Sequence, residues 1–502
     1  MALYLSAKTL DISTGDVVIV VLNNKDADSL SIRPGDALTI SHDDQSANVT
    51  ADVTRDLVRE GEIGLFNEVS KRINVENGGV VGVDYLQRSE ATKAIVKKLL
   101  RNELNEDEIR TVIEGIVSNH LGTIETAYFA ACGFSPGFSD KELYYLTKAI
   151  AETGNTINWK KELGIDMVVD KHSIGGIPGK GVTPILVPII ASLGLVIPDA
   201  PSRAITAPAG TADIMEVFCP VTFTKDEVVQ LVKKAGACIV WGGCLDIAPA
   251  DEALIRIEKP LGIELYDKFI VSILAKKVAM GVNHLVLDLP TGPDTKVEYE
   301  HEVPVIRRKF ITLAEQFGMK IEVLGRQPLS PDGRGIGPVL EARDILMVLE
   351  QSPDRYLPLE ALAIKMAGTL LELCGHAKAG QGETLAREQL TSGKALEKFK
   401  QIIQTQGGDP NVTSQTLPAG DVIYVHYAER AGEVVDIDNK LVREVASALG
   451  CPHNKKAGIF FYKQVGEDVK KDDKLLKIYS TSTERLETAK QLLKTKDIII
   501  LK

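Results

Sequence analysis

Beyond residue 160, short apolar runs alternate with helical stretches. Met167-Val168-Val169, Ala237-Cys238-Ile239-Val240, His284-Leu285-Val286-Leu287 and Ile321-Glu322-Val323-Leu324 read as strands, and one intervening helix opens on the capping box Thr224-x-x-Glu227. No other feature restricts the fold as much, because this alternation signals an α/β domain, in which ligands bind where strands run out into helices. Two segments near such points concentrate cations, hydroxyls and glycine: Asp170-Lys171-His172-Ser173-Ile174-Gly175-Gly176 and Ser202-Arg203-Ala204-Ile205-Thr206-Ala207-Pro208-Ala209-Gly210-Thr211-Ala212-Asp213. An oxyanion is held by ammonium groups, hydroxyls and backbone N–H groups, and glycine lets the main chain come close, so both segments suit a phosphate-bearing substrate. The stretch Gly175 to Gly181 imitates a P-loop but lacks Ser or Thr after Lys180 and has its first glycine one place late, which excludes the nucleoside-triphosphatase reading.

The flanks have other periods. Residues 1–84 alternate apolar runs (Val17 to Val21, Ala37 to Ile40, Val80 to Val83) with turn signals such as Arg33-Pro34-Gly35-Asp36 and read as a small β-rich domain. Residues 88–160, with part of 180–235, read as a helical domain: Ala91 to Leu104 is amphipathic, and Asn105-x-x-Glu108 and Ser139-x-x-Glu142 look like capping boxes. Residues 161–405 form the α/β part. From 412 to 502 a separate C-terminal α+β domain is expected, with the strands Asp421 to His426 and Ala457 to Phe461 around a helix from Asp438 to Leu449. The polar stretch Thr405 to Pro418, with Gly407-Gly408-Asp409-Pro410, is the expected hinge or linker. A length of 502 residues agrees with several cores.

A net charge of −11 argues against a nucleic-acid-binding surface while leaving room for a local cationic pocket. Cys132, Cys219, Cys238, Cys244, Cys374 and Cys451 show no C-x-x-C spacing and read as reduced core thiols, which points to a cytoplasmic protein. The most apolar run, Val182 to Pro198, is broken by Pro184, Pro188 and Gly194, so no membrane segment is expected.

Taken together, Lys171-His172-Ser173, Ser202 to Thr206 with Gly210 to Asp213, Trp241-Gly242-Gly243, Ala248 to Asp251 and Ser272 to Lys277 occur in the order found in the thymidine and pyrimidine-nucleoside phosphorylases, and the chain resembles that family along most of its length. The resemblance implies the type II nucleoside phosphorylase fold, in which a helical domain faces an α/β domain across a closing cleft, and it implies a homodimer or higher homo-oligomer. It also implies a phosphate clamp at Lys171, Ser173, Ser202 and Thr211, with Thr183 near a further hydroxyl position. Two departures point to the AMP phosphorylase branch. Ordinary thymidine enzymes lack the 1–84 domain, and they read the pyrimidine with an Arg seven residues beyond the position of Asp251, where this chain has Glu258. An ionised Glu accepts hydrogen bonds but cannot donate them to a base carbonyl.

Resemblance to that branch places nucleotide contacts at Gly176, Ser202, Arg203, Ala204, Ile205, Thr206, Ala207, Thr211, Ser272 and Lys296. The last supplies the extra cation that a 5′-phosphate needs. The implied general acid is Glu264, one methylene longer than the Asp of the relatives, and His172 polarises or positions the substrate. The implied reaction converts AMP and phosphate to adenine and ribose 1,5-bisphosphate, with CMP and UMP as further substrates and no metal or organic cofactor. The residues on their own also allow plainer roles. Glu264 and Lys296 are side-chain types usually found in solvent, and Lys171 to Ser173 also read as a capped helix start. Trp241 reads as packing, Asp332 to Gly337 as a turn into a helix near Leu340, and the lipoyl-like run Lys463 to Lys477 as structural. Two further function classes remain at this level: an anthranilate-type phosphoribosyltransferase, whose diphosphate substrate calls for Mg²⁺, and a non-catalytic nucleotide sensor.

Overall fold

The computed structural model describes residues 3–14, 18–85, 89–179, 181–204, 207–258, 265–293, 295–328 and 331–502. The chain divides into two compact units, one of residues 1–153 with 249–268 and the other of residues 154–248 with 269–502.

In the first unit β1 (Leu3–Thr9), β2 (Ile19–Asn23), β3 (Ala37–His42), β4 (Gln45–Thr54), β5 (Glu62–Leu65) and β6 (Val80–Tyr85) close into a barrel in the order β1-β5-β2-β4-β3-β6. Alternate residues point inward, so Leu5 and Ala7, Leu38 and Ile40, and Ala47, Val49 and Ala51 fill the interior. Closure leaves these strands no unpaired edge. The barrel is followed by the helices Glu90–Leu99, Glu106–Val117, Thr123–Cys132 and Asp140–Glu152. Both expected capping boxes form, with Asn105 and Ser139 accepting from the backbone N–H groups of Glu108 and Glu142. The first helix is shorter than its periodicity predicts, because the chain turns at Arg101, whose φ is 66°. A fifth helix, Pro249–Glu258, completes this unit and packs on Thr123–Cys132 and Glu106–Val117. The segment that returns to these helices is therefore 249–268, whereas all of 180–235 lies in the other unit. Periodicity inside a helix carries no sign of which core it joins.

The second unit is built on β7 (Val169–Ser173), β8 (Ile197–Asp199), β9 (Ala237–Ile239), β10 (His284–Pro290) and β11 (Lys320–Arg326). β11, β10 and β7 pair in parallel, β8 pairs in parallel with β9, and a parallel bridge from Val168 to Val196 joins the two groups. All five carboxyl ends thus lie on one edge. The apolar run after Gly181 becomes the helix Val182–Ser192, buried all round and packed against Pro338–Leu349, Leu357–Leu373 and Lys394–Thr405. Among the described residues no helix is long and apolar enough to cross a membrane. All six cysteines are free thiols; five are buried, and burial pushes Cys219 and Cys451 up to about 12.

The C-terminal part does not stand as a separate unit. Its sheet of Val422–Tyr427, Gly458–Phe461 and Lys474–Ser480 takes a fourth strand, Gly335–Ile336, from the α/β part. The segment Thr405 to Pro418 is pinned rather than hinged: Gln406 accepts from Ile239 N at 2.9 Å, Ser414 bonds Glu350, and Arg343 donates to the Leu417 carbonyl. Polar composition suggested a linker, but each of those polar groups has a partner in the fold.

Asp344 braces the Gly335 end of this joint, its Oδ2 accepting from Gly335 N at 2.7 Å. Burial pushes its carboxyl from 3.8 up to about 6. In the unfolded chain the group loses its proton near the ordinary value. Folding is therefore increasingly penalised as pH rises from about 4 to about 6, and the penalty then stays constant. The melting temperature of Asp344→Asn, measured relative to the parent, is expected to rise between pH 4 and pH 7; a pH-independent difference would contradict this.

Candidate active site

Lys171, His172 and Ser173 are not at a helix start but on β7, the middle strand of the five. Side chains alternate along a strand, so Lys171 and Ser173 share one face while Asp170 and His172 share the other. On the first face Lys171 is 5% exposed, and its Nζ donates to Thr183 Oγ1 at 2.6 Å, in the first turn of the helix Val182–Ser192. The hydroxyl suggested by the resemblance is thus beside the lysine. On the opposite face Asp170 is fully buried and takes the ammonium of Lys277 at 2.5 Å, with Asp199 Oδ1 at 3.5 Å from the same nitrogen. Two carboxyls share one ammonium. Burial, helped by the neighbouring Asp199, holds the Asp170 carboxyl well above its usual range, although the Lys277 charge opposes this. The carboxyls in turn outweigh the effect of burial on Lys277 and raise it, so the lysine stays charged. Asp170 Oδ1 also accepts the Lys171 backbone N–H at 2.7 Å, which ties this buried group to the backbone of the site.

Beyond Ser173 the chain turns through Gly176, at φ 131°, and Gly179, where a Cβ would lie 2.5 Å from the Gly333 nitrogen. The Gly-rich stretch 332–337 is therefore the backing of this turn, and it leads into the helix Pro338–Leu349. Asp332 donates its N–H to Pro178 O at 3.0 Å and receives Arg326 from the end of β11, which also clasps Asp288 of β10 at 2.6 and 3.0 Å.

From the end of β8 the chain enters 200–210 and then the short helix Thr211–Met215. Asp213 folds this loop, with Oδ2 accepting from Ala204 N at 2.8 Å and Gly210 N at 3.0 Å. Only glycine fits at 210, since a Cβ there would stand 2.6 Å from Ala204 N and 2.7 Å from Ser202 O. Arg203 does not present a bare guanidinium. It bonds Glu216 at 2.7 and 2.8 Å and Asp213 at 3.2 Å, and it lies 4.8 Å over the ring of Trp241 at the end of β9. Trp241 thus stacks on a cation as well as packing against the core. Hydrogen bonding to Arg203 and then Lys455 draws the Glu216 carboxyl down to about 2.

From the end of β10 the loop 291–297 closes on itself through Thr295 Oγ1, which bonds Gly292 O at 2.8 Å and Val297 O at 2.7 Å, and it displays Lys296 at the surface. Ile174 N donates to Asp288 O at 2.8 Å, so the β7 and β10 exits are neighbours. Ser272 is half-buried on the helix Tyr266–Ala279, which also carries Lys277. In the first unit Glu258 is bound to Lys268, whose ammonium also sits 4.7 Å over Phe134. Burial nonetheless pushes the Glu258 carboxyl up. Glu264, Ile205 and Thr206 lie outside the described residues.

Several residues that shape this candidate site gave no local signal in the sequence: Asp199, Glu216, Arg326 and Lys455 meet their partners Lys277, Arg203, Asp288 and Asp213 only in the fold. Asp213 had one, since Gly210-x-x-Asp213 is the spacing of a capping box, and that bond forms.

Known proteins support the family resemblance. The family described as pyrimidine nucleoside phosphorylase C-terminal domain matches residues 433–499. An AMP phosphorylase of Methanosarcina barkeri is 42% identical over 470 residues, covering 94% of this chain and 92% of its own length. One from Thermofilum pendens is 40% identical with 94% and 90% covered, and one from Methanococcus maripaludis is 40% identical with 98% and 96% covered. Anthranilate phosphoribosyltransferase from Thermus thermophilus is similar in structure, with a TM-score of 0.53 over 62% of this chain and 99% of that one. At 16% identity that likeness concerns the fold alone.

Proposed function

This chain belongs to the AMP phosphorylase family, and from that premise we propose that it splits nucleoside 5′-monophosphates with inorganic phosphate, AMP giving adenine and ribose 1,5-bisphosphate. The observation that carries the reading is identity of about 40% along nearly the whole of both chains. A phosphate oxygen attacks C1′ as the bond from C1′ to the base nitrogen breaks, and the base leaves with a proton. The sugar is cationic in the transition state, so the phosphate anion both attacks and stabilises developing charge.

In this reading Lys171, Ser173, Ser202 and Thr211 hold the nucleophilic phosphate. The Lys171 contact to Thr183 supports it by giving the ammonium a fixed direction. Gly176, Ser202 to Ala207, Thr211, Ser272 and Lys296 take the nucleotide, with Lys296 assigned to the 5′-phosphate. Arg203 serves through its backbone, since its guanidinium is already clasped by Asp213 and Glu216. His172 orients the nucleotide, and Glu264 supplies the proton to the leaving base, a step that typically contributes about 10²- to 10⁴-fold. The active assembly is a homodimer or higher homo-oligomer, and no cofactor takes part.

The purified chain is expected to release base from AMP only when phosphate is added, with ribose 1,5-bisphosphate formed in equal amount. AMP, CMP, UMP, adenosine, uridine and thymidine are compared side by side without metal. Cleavage of thymidine with every monophosphate inert would overturn the assignment.

A further inference from the structure

Two cations from the far end of the chain reach the two loops assigned to substrate. Arg443, on the helix Asn439–Leu449, donates from Nη1 to the carbonyl oxygen of Gly176 at 3.2 Å. At φ 131° the backbone of Gly176 is in a region that side-chain-bearing residues avoid, and glycine alone does not lock it there. The bond from Arg443 fixes the direction of that carbonyl. Lys455 places Nζ 3.3 Å from Asp213 Oδ1 and 2.7 Å from Glu216 Oε2. Asp213 in turn holds the backbone N–H groups of Ala204 and Gly210.

A cavity of about 560 Å³ adjoins this loop, lined by Arg203, Ala204, Ala207 and Pro208 and, from the C-terminal segment, by Arg443 and Lys455. Ion pairs and hydrogen bonds from Lys455 and Asp213 brace the loop here, in addition to the apolar packing of Ala209, Ile214 and Met215 in the core. Such struts are directional, so they set the position of the loop as well as its stability.

We propose that Arg443 and Lys455 are positioning residues, through which the C-terminal segment sets the geometry of Gly176 and of the 202–210 loop for phosphorolysis. The inference rests on the assignment of those loops to nucleotide and phosphate. Displacement of a bound reactant by about 1 Å costs on the order of 10²-fold in rate, so modest loosening is enough to register.

The test uses the full chain with Arg443→Met, Lys455→Met, Arg443→Lys and Lys455→Arg. AMP and phosphate are varied independently, and backbone hydrogen exchange is followed in segments 174–179, 202–211 and 439–449. Each Met variant is expected to lose about tenfold or more in kcat/KM for AMP. Exchange rises in 174–179 for Arg443→Met and in 202–211 for Lys455→Met, while 439–449 stays protected. The variants that keep a cation recover most of the activity. Kinetics within about twofold of the parent would overturn the proposal. So would faster exchange in 439–449 together with the loops, or failure of the Met variants to fold while the cation-keeping variants match the parent, because each means general support of the fold. A parent inert toward AMP with the exchange pattern intact sinks the assigned reaction and leaves the struts; an active parent with unchanged variants sinks the struts alone.

Discussion

Lys171→Met is expected to lower kcat/KM for phosphate by about 10²- to 10³-fold, the usual cost of removing one preorganised group that stabilises charge in the transition state. Lys171 is buried, so its charge acts in a medium of lower dielectric than water, and its hydrogen bond to Thr183 spares it from reorganising during the reaction. Methionine keeps most of the length and apolar volume of lysine, so the fold is expected to persist. The measurement is steady-state kinetics with phosphate varied at saturating AMP, together with a melting curve. Activity within about tenfold of the parent, with the melting curve unchanged, would remove Lys171 from the phosphate site.

Lys277→Met is expected to have the largest effect on stability. The ammonium answers Asp170 and Asp199, both buried, and its loss leaves two carboxyls facing one another in the interior. Removing one partner of a buried ion pair costs about 3–5 kcal/mol, which lowers the melting temperature by on the order of 10 °C in a unit of this size. The pH dependence follows from the carboxyls. Burial and Asp199 already hold Asp170 above its ordinary range, and without Lys277 it rises further. The variant therefore folds with a carboxyl that must stay protonated while the unfolded chain releases that proton. Its deficit grows as pH rises and shrinks in acid. Melting curves of parent and variant at pH 5 and pH 8 check this; an equal deficit at both would show that the carboxyls carry no charge penalty. Because Asp170 also holds the backbone N–H of Lys171, phosphorolysis by the surviving folded fraction is expected to fall as well.

Much of the candidate site is legible where chemistry is local. The run Lys171-His172-Ser173 is compact because one strand carries all three residues, and the 202–213 loop reads clearly because a sharp turn beside a helix start needs glycine and a capping carboxylate within a few residues. The strand candidates in the α/β part each overlap an observed strand, since parallel strands covered on both faces are continuous apolar runs. The reading went wrong where a polar segment acts through distant partners. Thr405 to Pro418 resembled a hinge because its composition is polar, yet Gln406, Ser414 and Leu417 are bound to residues far back in the chain. Trp241 reads as packing because nothing beside it in sequence is a cation; in the fold Arg203 arrives from the neighbouring loop.

The sequence by itself determined the α/β alternation, the helix caps, the two glycine-bearing segments proposed to bind phosphate and, through motif order, the family resemblance. These depend on residues within one or two turns of one another, where periodicity and capping act directly. Only the tertiary structure decided which helices share a core and that Asp170, Asp199 and Lys277 form one buried group. It alone brought Arg443 and Lys455 to the loops proposed to hold substrate, 267 residues from Gly176 and 242 from Asp213. The pairing of two charges far apart in sequence is a matter of where the chain returns in space, and such contacts leave no periodic trace along the chain.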